Sequence, residues 1–186
     1  MNKKYFLIPI FIILTSLCFI FSHCSMFYQG EIQSRFTMKE AREIGVLDFN
    51  QEGFLDGNKL GVFASDELTV ALFINQKYKI VDRSKVITTM REKNYSVSNL
   101  NTRQIQELGL LLGADFLILG SLTQLDTNEI NPEENIQTHL QVTFRILSSK
   151  DGSVIGMVSL EEQKKGEIKK IVSAMMKKMA DAVKLY

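Results

Sequence analysis

The sequence contains no tryptophan, only two prolines and only two cysteines. The cysteines, Cys18 and Cys24, both lie close to the start of the chain. From Ser25 onward there is therefore no disulfide, no thiol nucleophile and no cysteine ligand for a metal ion. The net charge of +1 is too small for a dedicated nucleic-acid-binding protein, which carries a strongly basic face or stripe.

What is present is enough for one folded domain. The chain has 186 residues, of which 45% are hydrophobic, so a sizeable core can form. The low proline content and the supply of Ile, Leu, Val and Phe argue against a largely disordered chain.

The apolar residues are concentrated at the start of the chain. Lys3 and Lys4 precede an apolar run at residues 5–21. A positive segment followed by such a run is typical of a secretory signal. The run is about 17 residues long, at the lower end of the roughly 17–25 residues that span a bilayer. An uncleaved N-terminal anchor therefore stays open as an alternative.

Residues 21–24, Phe-Ser-His-Cys, resemble a bacterial lipobox that ends at Cys24. The apolar first residue and small second residue fit, whereas His23 stands where Gly, Ala or Ser is usual. We expect Cys24 to be lipidated; signal cleavage nearby without lipidation also stays open. Each buried methylene contributes about 0.8 kcal/mol, so the acyl chains of a lipoprotein, palmitate among them, would form a permanent anchor. Ser25 favours the outer membrane by analogy with lipoprotein sorting.

These features divide the chain into three parts. Residues 1–24 are predicted to be the signal peptide, and residues 25–42 a polar tether without strand alternation. Residues 43–186 are predicted to fold as an α/β domain.

The first half of that domain alternates short apolar runs with helical spacing. Strands are predicted at residues 44–49 and 78–82, and helices at residues 59–76 and 85–93, the second helix capped by Ser84.

A third helix is predicted to follow, with a capping box formed by Asn101 and Gln104 and a stop at Gly113. The next strand, residues 116–122, is almost continuously apolar, which is typical of strands covered on both faces.

A hairpin and a last helix complete the domain. Apolar and polar residues alternate from Leu140 to Ile146, and Asp151 with Gly152 turns the chain into a strand at residues 154–160. The helix at residues 166–185 has an apolar stripe of Ile168, Ile171, Met175, Met179 and Ala182, opposite Lys169, Lys170, Lys177 and Lys184.

The predicted order is β-α-β-α-α-β-β-β-α. The first part favours parallel crossovers and the hairpin extends the sheet antiparallel. We therefore predict an α/β fold, a mixed sheet of about five strands covered by helices.

Residues that could carry chemistry are few. The sequence has no nucleophile elbow, phosphate-binding loop, dinucleotide fingerprint or His-Glu-x-x-His motif. His139 is the only histidine after the signal region, and we expect it on a solvent-exposed polar face. Asp48, Asp56 and Asp82 lie near strand ends, where α/β enzymes place their sites, but the simpler interpretation is capping and turn formation. We predict no catalytic residue, no cofactor and no metal.

The last helix offers two further interpretations. Its lysines are expected to form a solvated face, with contact to anionic headgroups or to an acidic partner as the alternative. Met175, Met176 and Met179 are expected in the core rather than in an adaptable binding groove.

Four segments in order resemble the family of the curli secretion channel subunit, CsgG. They are residues 44–49, 65–72, 78–84 and 107–121, the last containing Leu-Gly-Ala-Asp followed by an apolar strand with Gly-Ser. Related domains occur in lipoprotein activators of penicillin-binding proteins and in a flagellar lipoprotein. The resemblance implies an anchored, periplasm-facing module of the cell envelope that works by contact.

The curli channel subunits resemble this domain with two added membrane hairpins. Residues 125–135 are short and acidic and contain Pro132, so this chain is not expected to build such a pore alone. We therefore expect a non-catalytic assembly or regulatory factor that contacts envelope proteins and does not bind nucleic acid. The alternatives are a component of an oligomeric outer-membrane export apparatus, formed from copies of the chain, and a small-ligand-binding domain or enzyme that uses Asp48 or Asp82.

Overall fold

The structure, a computed structural model, describes residues 33–36, 43–54, 59–75, 78–125 and 137–183. Its strands are β1 (Gln33–Phe36), β2 (Glu43–Val46), β3 (Asn50–Glu52), β4 (Lys79–Ile80), β5 (Phe116–Gln124), β6 (Gln137–Ser148) and β7 (Val154–Lys165). Its helices are α1 (Leu60–Ile74), α2 (Arg83–Glu92), α3 (Thr102–Leu112) and α4 (Ile168–Ala182), with a 3-10 turn at Val97–Asn99.

The strands form one mixed sheet in the order β1-β7-β6-β5-β2-β4, and β3 also pairs with β5. β5 is the boundary between two halves. It pairs in parallel with β2 and β3, and β2 pairs in parallel with β4. On its other side, β6, β7 and β1 follow in antiparallel pairs. The predicted α/β fold with a mixed sheet is confirmed.

Helices cover the two faces of the sheet unequally. On one face, α1 and α4 enclose the larger core, which includes Phe144, Ile118 and Val158. On the other face, α2 and α3 pack over Leu117 and Leu119 and form a smaller core. The second layer lies over β2, the start of β5 and the end of β6 at Leu147, so the rest of the antiparallel half has one helix-covered face among the described residues.

Within the described residues the sheet has seven strands, because it includes two short ones that were not predicted. β3 follows a break after Val46, where the predicted strand at residues 44–49 ends early. At this break the ring of Phe49 lies against Gly120 of β5, where a Cβ atom would come within 2.4 Å of the ring. The Gly-Ser pair of the family-like segment therefore makes room for this aromatic ring.

The other unpredicted strand, β1, falls inside the predicted tether. Gln33 pairs with Ser159 and Phe36 with Gly156, both on β7. For these four residues the prediction of a segment without strands is wrong. The reason is that pairing with an exposed sheet edge requires backbone groups alone, and this leaves no period-two pattern in so short a sequence.

The hairpin follows its predicted pattern. Leu140, Val142, Phe144 and Ile146 are all buried, as their alternation predicted. The turn contains Gly152 at a φ of +72°, a conformation that glycine adopts without strain.

Helix ends agree with the sequence signals, with one exception. In α3 the Gln104 N–H donates to the Asn101 side chain, and the Asn101 N–H donates to the Gln104 side chain, each at 3.0 Å. Gly113 ends the helix at a φ of +72°. In α2 the capping residue is Asp82 rather than the predicted Ser84, since its carboxylate can accept two backbone N–H groups.

Asp115, in the family-like segment after α3, joins three parts of the fold. Its side chain accepts from the Glu43 N–H at 3.0 Å, and its own N–H donates to the Glu43 carbonyl at 2.9 Å. Its carbonyl accepts from the Ser149 N–H at 2.9 Å. The start of β2 and the β6–β7 turn are therefore held at the same residue.

Candidate functional site

The residues singled out from the sequence do not form one site. Cys24 and Asp56 lie outside the described residues. Asp48 and Asp82 follow the neighbouring parallel strands β2 and β4, whereas His139 lies on antiparallel β6.

The edge after β2 and β4 is filled by the guanidinium group of Arg83. Its Nε donates to the Asp66 carboxylate at 2.9 Å, and its Nη1 donates to the Val46 carbonyl at 2.7 Å. Its Nη2 donates to the Ser65 hydroxyl at 2.9 Å and also contacts Asp48. All three guanidinium nitrogens therefore bond to groups of the chain itself.

This arrangement decides how Asp48 is interpreted. Open α/β sheets bind ligands at the carboxyl ends of their parallel strands. Here Arg83 of the same chain forms ion pairs with Asp48 and Asp66, and these contacts connect the end of β2 with α1 and α2. The geometry supports a structural ion-pair cluster.

Asp82 acts as a helix cap. Its carboxylate accepts from the Ser84 N–H at 2.7 Å and from the Lys85 N–H at 3.4 Å, and it contacts the Ser84 hydroxyl. The side-chain and backbone hydrogen bonds from Ser84 lower the pKa of Asp82 from its ordinary value. The predicted capping role is confirmed for this residue.

His139 was predicted to be solvent-exposed, and the structure differs. It is half-buried, and its Nε2 lies 2.6 Å from the Glu161 carboxylate on β7. The two residues form a diagonal cross-strand pair, which the alternation of β6 alone cannot reveal. Within the described ranges, no three His, Cys, Asp or Glu side chains are grouped closely enough to hold a metal ion.

Helix α4 confirms the interpretation of its methionines, whereas the exposure of its lysines fits both interpretations of that face. Met175, Met176 and Met179 are fully buried, which confirms their place in the core. Lys169, Lys170 and Lys177 are exposed, while Lys184 lies outside the described residues; Lys170 pairs with Glu167 at 3.2 Å.

The strongest candidate surface lies on α1. Val70, Phe73 and Ile74 are 53%, 67% and 65% exposed, and they are spaced so that they share one helix face. We call these three residues the α1 patch. Clustered exposed apolar side chains mark contact sites more often than scattered ones do.

Sequence reasoning missed this patch. The apolar spacing of residues 59–76 predicted a buried stripe, and the structure buries Leu60, Ala64, Leu68, Ala71 and Leu72. Phe63, predicted with them, is half-buried and lies 5.8 Å from the Lys169 ammonium group. The sequence did contain a signal for the patch. Its three residues lie outside the buried stripe, on the face where an amphipathic helix normally carries polar residues.

A smaller apolar spot lies at the end of α3. Leu110 and Leu111 are exposed there, in the helical layer on the opposite face from α1. Two adjoining leucines at one helix end are common on protein surfaces. The α1 patch is larger and contains an aromatic ring, which makes it the stronger candidate for a contact surface.

No helix within the described residues has both the length and the apolar character needed to cross a membrane. Comparison with curated proteins gives no match.

Comparison with solved structures gives several similar folds. The PelC dodecamer from Paraburkholderia phytofirmans is 11% identical with a TM-score of 0.55, covering 84% of this chain and 99% of that chain. Lipoprotein GNA1162 from Neisseria meningitidis is 15% identical with a TM-score of 0.53, covering 76% and 97%. LpoB from E. coli is 14% identical with a TM-score of 0.50, covering 70% and 61%. At these identities the likeness concerns the fold.

Comparison with family models matches residues 26–131 to the family described as "Curli production assembly/transport component CsgG". The match extends from the predicted tether through β5 and includes all four segments that carried the resemblance. It covers more than half of the chain, which therefore belongs to the CsgG family.

Proposed function

We propose that this chain is a cell-envelope lipoprotein, anchored through Cys24 and facing the periplasm, that serves as a non-catalytic assembly or regulatory factor. It acts by contacting another envelope protein. The observation that carries this proposal is the α1 patch, which exposes Val70, Phe73 and Ile74 on one helix face.

Two further observations support a contact function. The family description refers to assembly and transport, and one protein of similar fold is itself described as a lipoprotein. In addition, the sheet edge at which an α/β enzyme would bind its substrate is filled by Arg83 and its carboxylate partners.

The patch has the properties that a contact surface needs. Its three side chains project from a helix that packs on the sheet and on α4 through its other face. A partner that covers them gains the free energy of apolar burial without requiring α1 to rearrange. Phe73 is the expected anchor, because aromatic residues are enriched in the cores of protein interfaces.

Site-specific photo-crosslinking in intact cells tests this proposal. A photoreactive amino acid at Phe73 should give a covalent adduct with one defined protein. The same amino acid at Thr88, which is exposed on α2, should give none and serves as the matched control.

A second arm uses Phe73→Ser in the native chain. Because the side chain is exposed, stability should change by less than about 0.5 kcal/mol, whereas co-purification of the crosslinked partner should be lost. Equal adduct yields at Phe73 and Thr88, or unchanged co-purification by the serine variant, would contradict the proposal.

A component of an oligomeric export apparatus is the second candidate, and the PelC dodecamer of similar fold favours it. In that case the α1 patch contacts another copy of this chain. The Phe73 adduct then has twice the mass of the chain, and the detergent-extracted protein forms rings that conduct ions in planar bilayers. A heteromeric adduct and a monomer without conductance would reject this candidate.

A further inference from the structure

The antiparallel half of the sheet has a second face, directed away from α1 and α4. Register places Ser121 opposite Thr143, Thr143 opposite Ser159, and Arg145 opposite Met157 on this face. The alternate residues of these strands are buried under α1 and α4. Helices α2 and α3 cover one end of this face, at Leu117, Leu119 and Leu147, and we call the remaining part, which contains Ser121, Thr143, Arg145, Met157 and Ser159, the open face.

A shallow groove runs along one side of the open face. It lies between the sheet and the 3-10 turn at Val97–Asn99, and its volume is about 90 Å³. Leu119 and Val97 give it an apolar part, while Ser121, Thr143 and Arg145 give it a polar part. The Ser98 hydroxyl donates to the Asn50 side chain at 3.1 Å, which holds the turn against β3.

The charge on this face is not balanced. His139 and Glu161 are paired with each other, and Thr143 bonds to Ser159 at 2.9 Å. Arg145 is exposed and makes no hydrogen bond or ion pair with any residue in the described part of the chain. Within the described residues, the guanidinium group of Arg145 therefore lies without a partner in the middle of a long strand and lines the groove.

The row that contains Arg145 extends across the sheet. Its neighbour Met157 on β7 is 44% exposed, although it lies within a strand. The register of β1 places Arg35 opposite Met157. Met157 thus lies in register between Arg145 on β6 and position 35 on β1, and its exposed side chain gives this row an apolar element beside Arg145.

We propose that the open face is a docking site for an acidic segment of a partner protein. A carboxylate of that segment binds the guanidinium group of Arg145, and an adjacent apolar side chain covers Met157. The fork of an arginine side chain matches a carboxylate with two parallel hydrogen bonds. This inference rests on the proposed contact function, and it adds the chemistry of a partner and a surface separate from the α1 patch.

A protein segment fits this surface better than a membrane does. A bilayer presents a flat array of headgroups and is held by clusters of several basic residues. The open face instead offers Arg145, which has no partner among the described residues, beside a small groove that is mostly polar, with Val97 and Leu119 as its apolar side chains. Extended peptides commonly bind such grooves, with side-chain pockets that provide specificity.

A binding experiment with the full mature chain in detergent tests the chemistry. The probes are a fluorescent peptide of alternating Leu and Glu and its counterpart of alternating Leu and Gln. The Glu peptide should bind about tenfold more tightly than the Gln peptide, which corresponds to about 1.4 kcal/mol. Arg145→Gln should remove that preference, whereas Arg91→Gln, at an exposed arginine on α2, should retain it.

Equal affinity for the two peptides, or a preference that survives in Arg145→Gln, would overturn the proposal. Competition by phosphatidylglycerol vesicles that depends on Arg145 would also overturn it, since the ligand would then be a lipid headgroup. Urea unfolding of Arg145→Gln should match that of the unmodified chain, because the side chain is exposed.

Crosslinking in cells separates this inference from the proposed function. A photoreactive amino acid at Met157 should give a protein adduct that Arg145→Glu abolishes. The adduct formed from Phe73 on α1 should persist in that variant. Absence of the Phe73 adduct in the otherwise unmodified chain rejects the α1 contact. A Met157 adduct that is absent, or that persists in Arg145→Glu, rejects the open-face site.

Discussion

Glu162 shows how one buried charge is held in this fold. The residue is only 3% exposed, and it lies on β7 under α4. Its carboxylate contacts the Lys178 ammonium group, and the Lys164 ammonium group lies 2.7 Å from Oε2, without hydrogen-bond geometry. Burial alone would raise the pKa of Glu162, but the two lysines outweigh it and lower the pKa from its ordinary value of 4.5.

Glu162→Gln tests this pair at the scale of one residue. The substitution removes the carboxylate and leaves Lys178 and Lys164 without their partner. We expect the free energy of unfolding at pH 7 to fall by about 1.5–3 kcal/mol, the range for hydrogen bonds to charged groups. Urea unfolding measures this change.

The direction of the pKa shift predicts how the stability difference between the two proteins depends on pH. Because the folded-state pKa of Glu162 is depressed, its contribution is present above the ordinary value of 4.5 and is lost as the pH falls through the folded-state pKa. The difference between the two proteins should therefore shrink below that pH. Glu167→Gln, at an exposed residue, is the control and should change little. A difference that stays constant down to pH 3 would contradict this account.

At the same scale, sequence reasoning identified residue types better than partners. It assigned Asp82 to capping, but it gave the α2 cap to Ser84, since both residue types favour that position. It placed His139 on the polar face of its strand, but the contact with Glu161 depends on strand register. Arg83 was missed as the centre of a cluster, because its partners are distant in sequence.

At the scale of elements, α3 packs on the hairpin through a glycine. A Cβ atom on Gly109 would lie 2.2 Å from the Cβ of Ser149, in the β6–β7 turn. The Ser149 hydroxyl is buried there and finds no hydrogen-bond partner in the described part of the chain. The absence of a side chain at residue 109 therefore sets how closely helix and hairpin approach.

Gly109→Ala should destabilise the protein even though alanine favours helix. The gain in helix propensity is at most about 1 kcal/mol, while overpacking costs about 1–3 kcal/mol. We expect a lower midpoint in urea. The double variant Gly109→Ala with Ser149→Gly removes the overlap and should recover much of the loss. If Gly109→Ala is as stable as the unmodified chain, the prediction is wrong, and α3 can move away from the hairpin at little cost.

Elements with strong local signals were predicted well. The capping box of α3, the alternation of β6 and the apolar run of β5 each determine structure through near neighbours. β1 and β3 were missed because each is short and is held by a partner strand distant in sequence. The α1 patch was missed because a pattern shows which face can be buried, but not which apolar residues remain uncovered.

At the scale of the whole molecule, the fold class and the order of the main elements followed from the sequence. The unequal covering of the sheet did not. Which part of a face remains open depends on how far α2 and α3 extend over β5, and local spacing carries no information on that distance.

The anchor gives a prediction for the intact chain. Mass spectrometry of the membrane fraction should show a mature protein that begins at an acylated Cys24. Cys24→Ser should abolish acylation and release the domain from membranes. Cys18→Ser is the matched control, because Cys18 lies within the apolar run, and it should leave the mature protein unchanged. A mature protein that begins at another residue would remove the lipid anchor from the proposal.

The pairing of β1 with β7 also limits how far the domain can move. With the anchor proposed at Cys24, Gln33 follows about nine residues later, and a segment of that length can span at most about 30 Å at 3.3–3.6 Å per residue. A tether that continued to Glu43 would reach about twice as far. With that anchor, the edge strand would keep the domain within roughly one domain diameter of the bilayer, and a partner would have to come to the membrane surface to be bound.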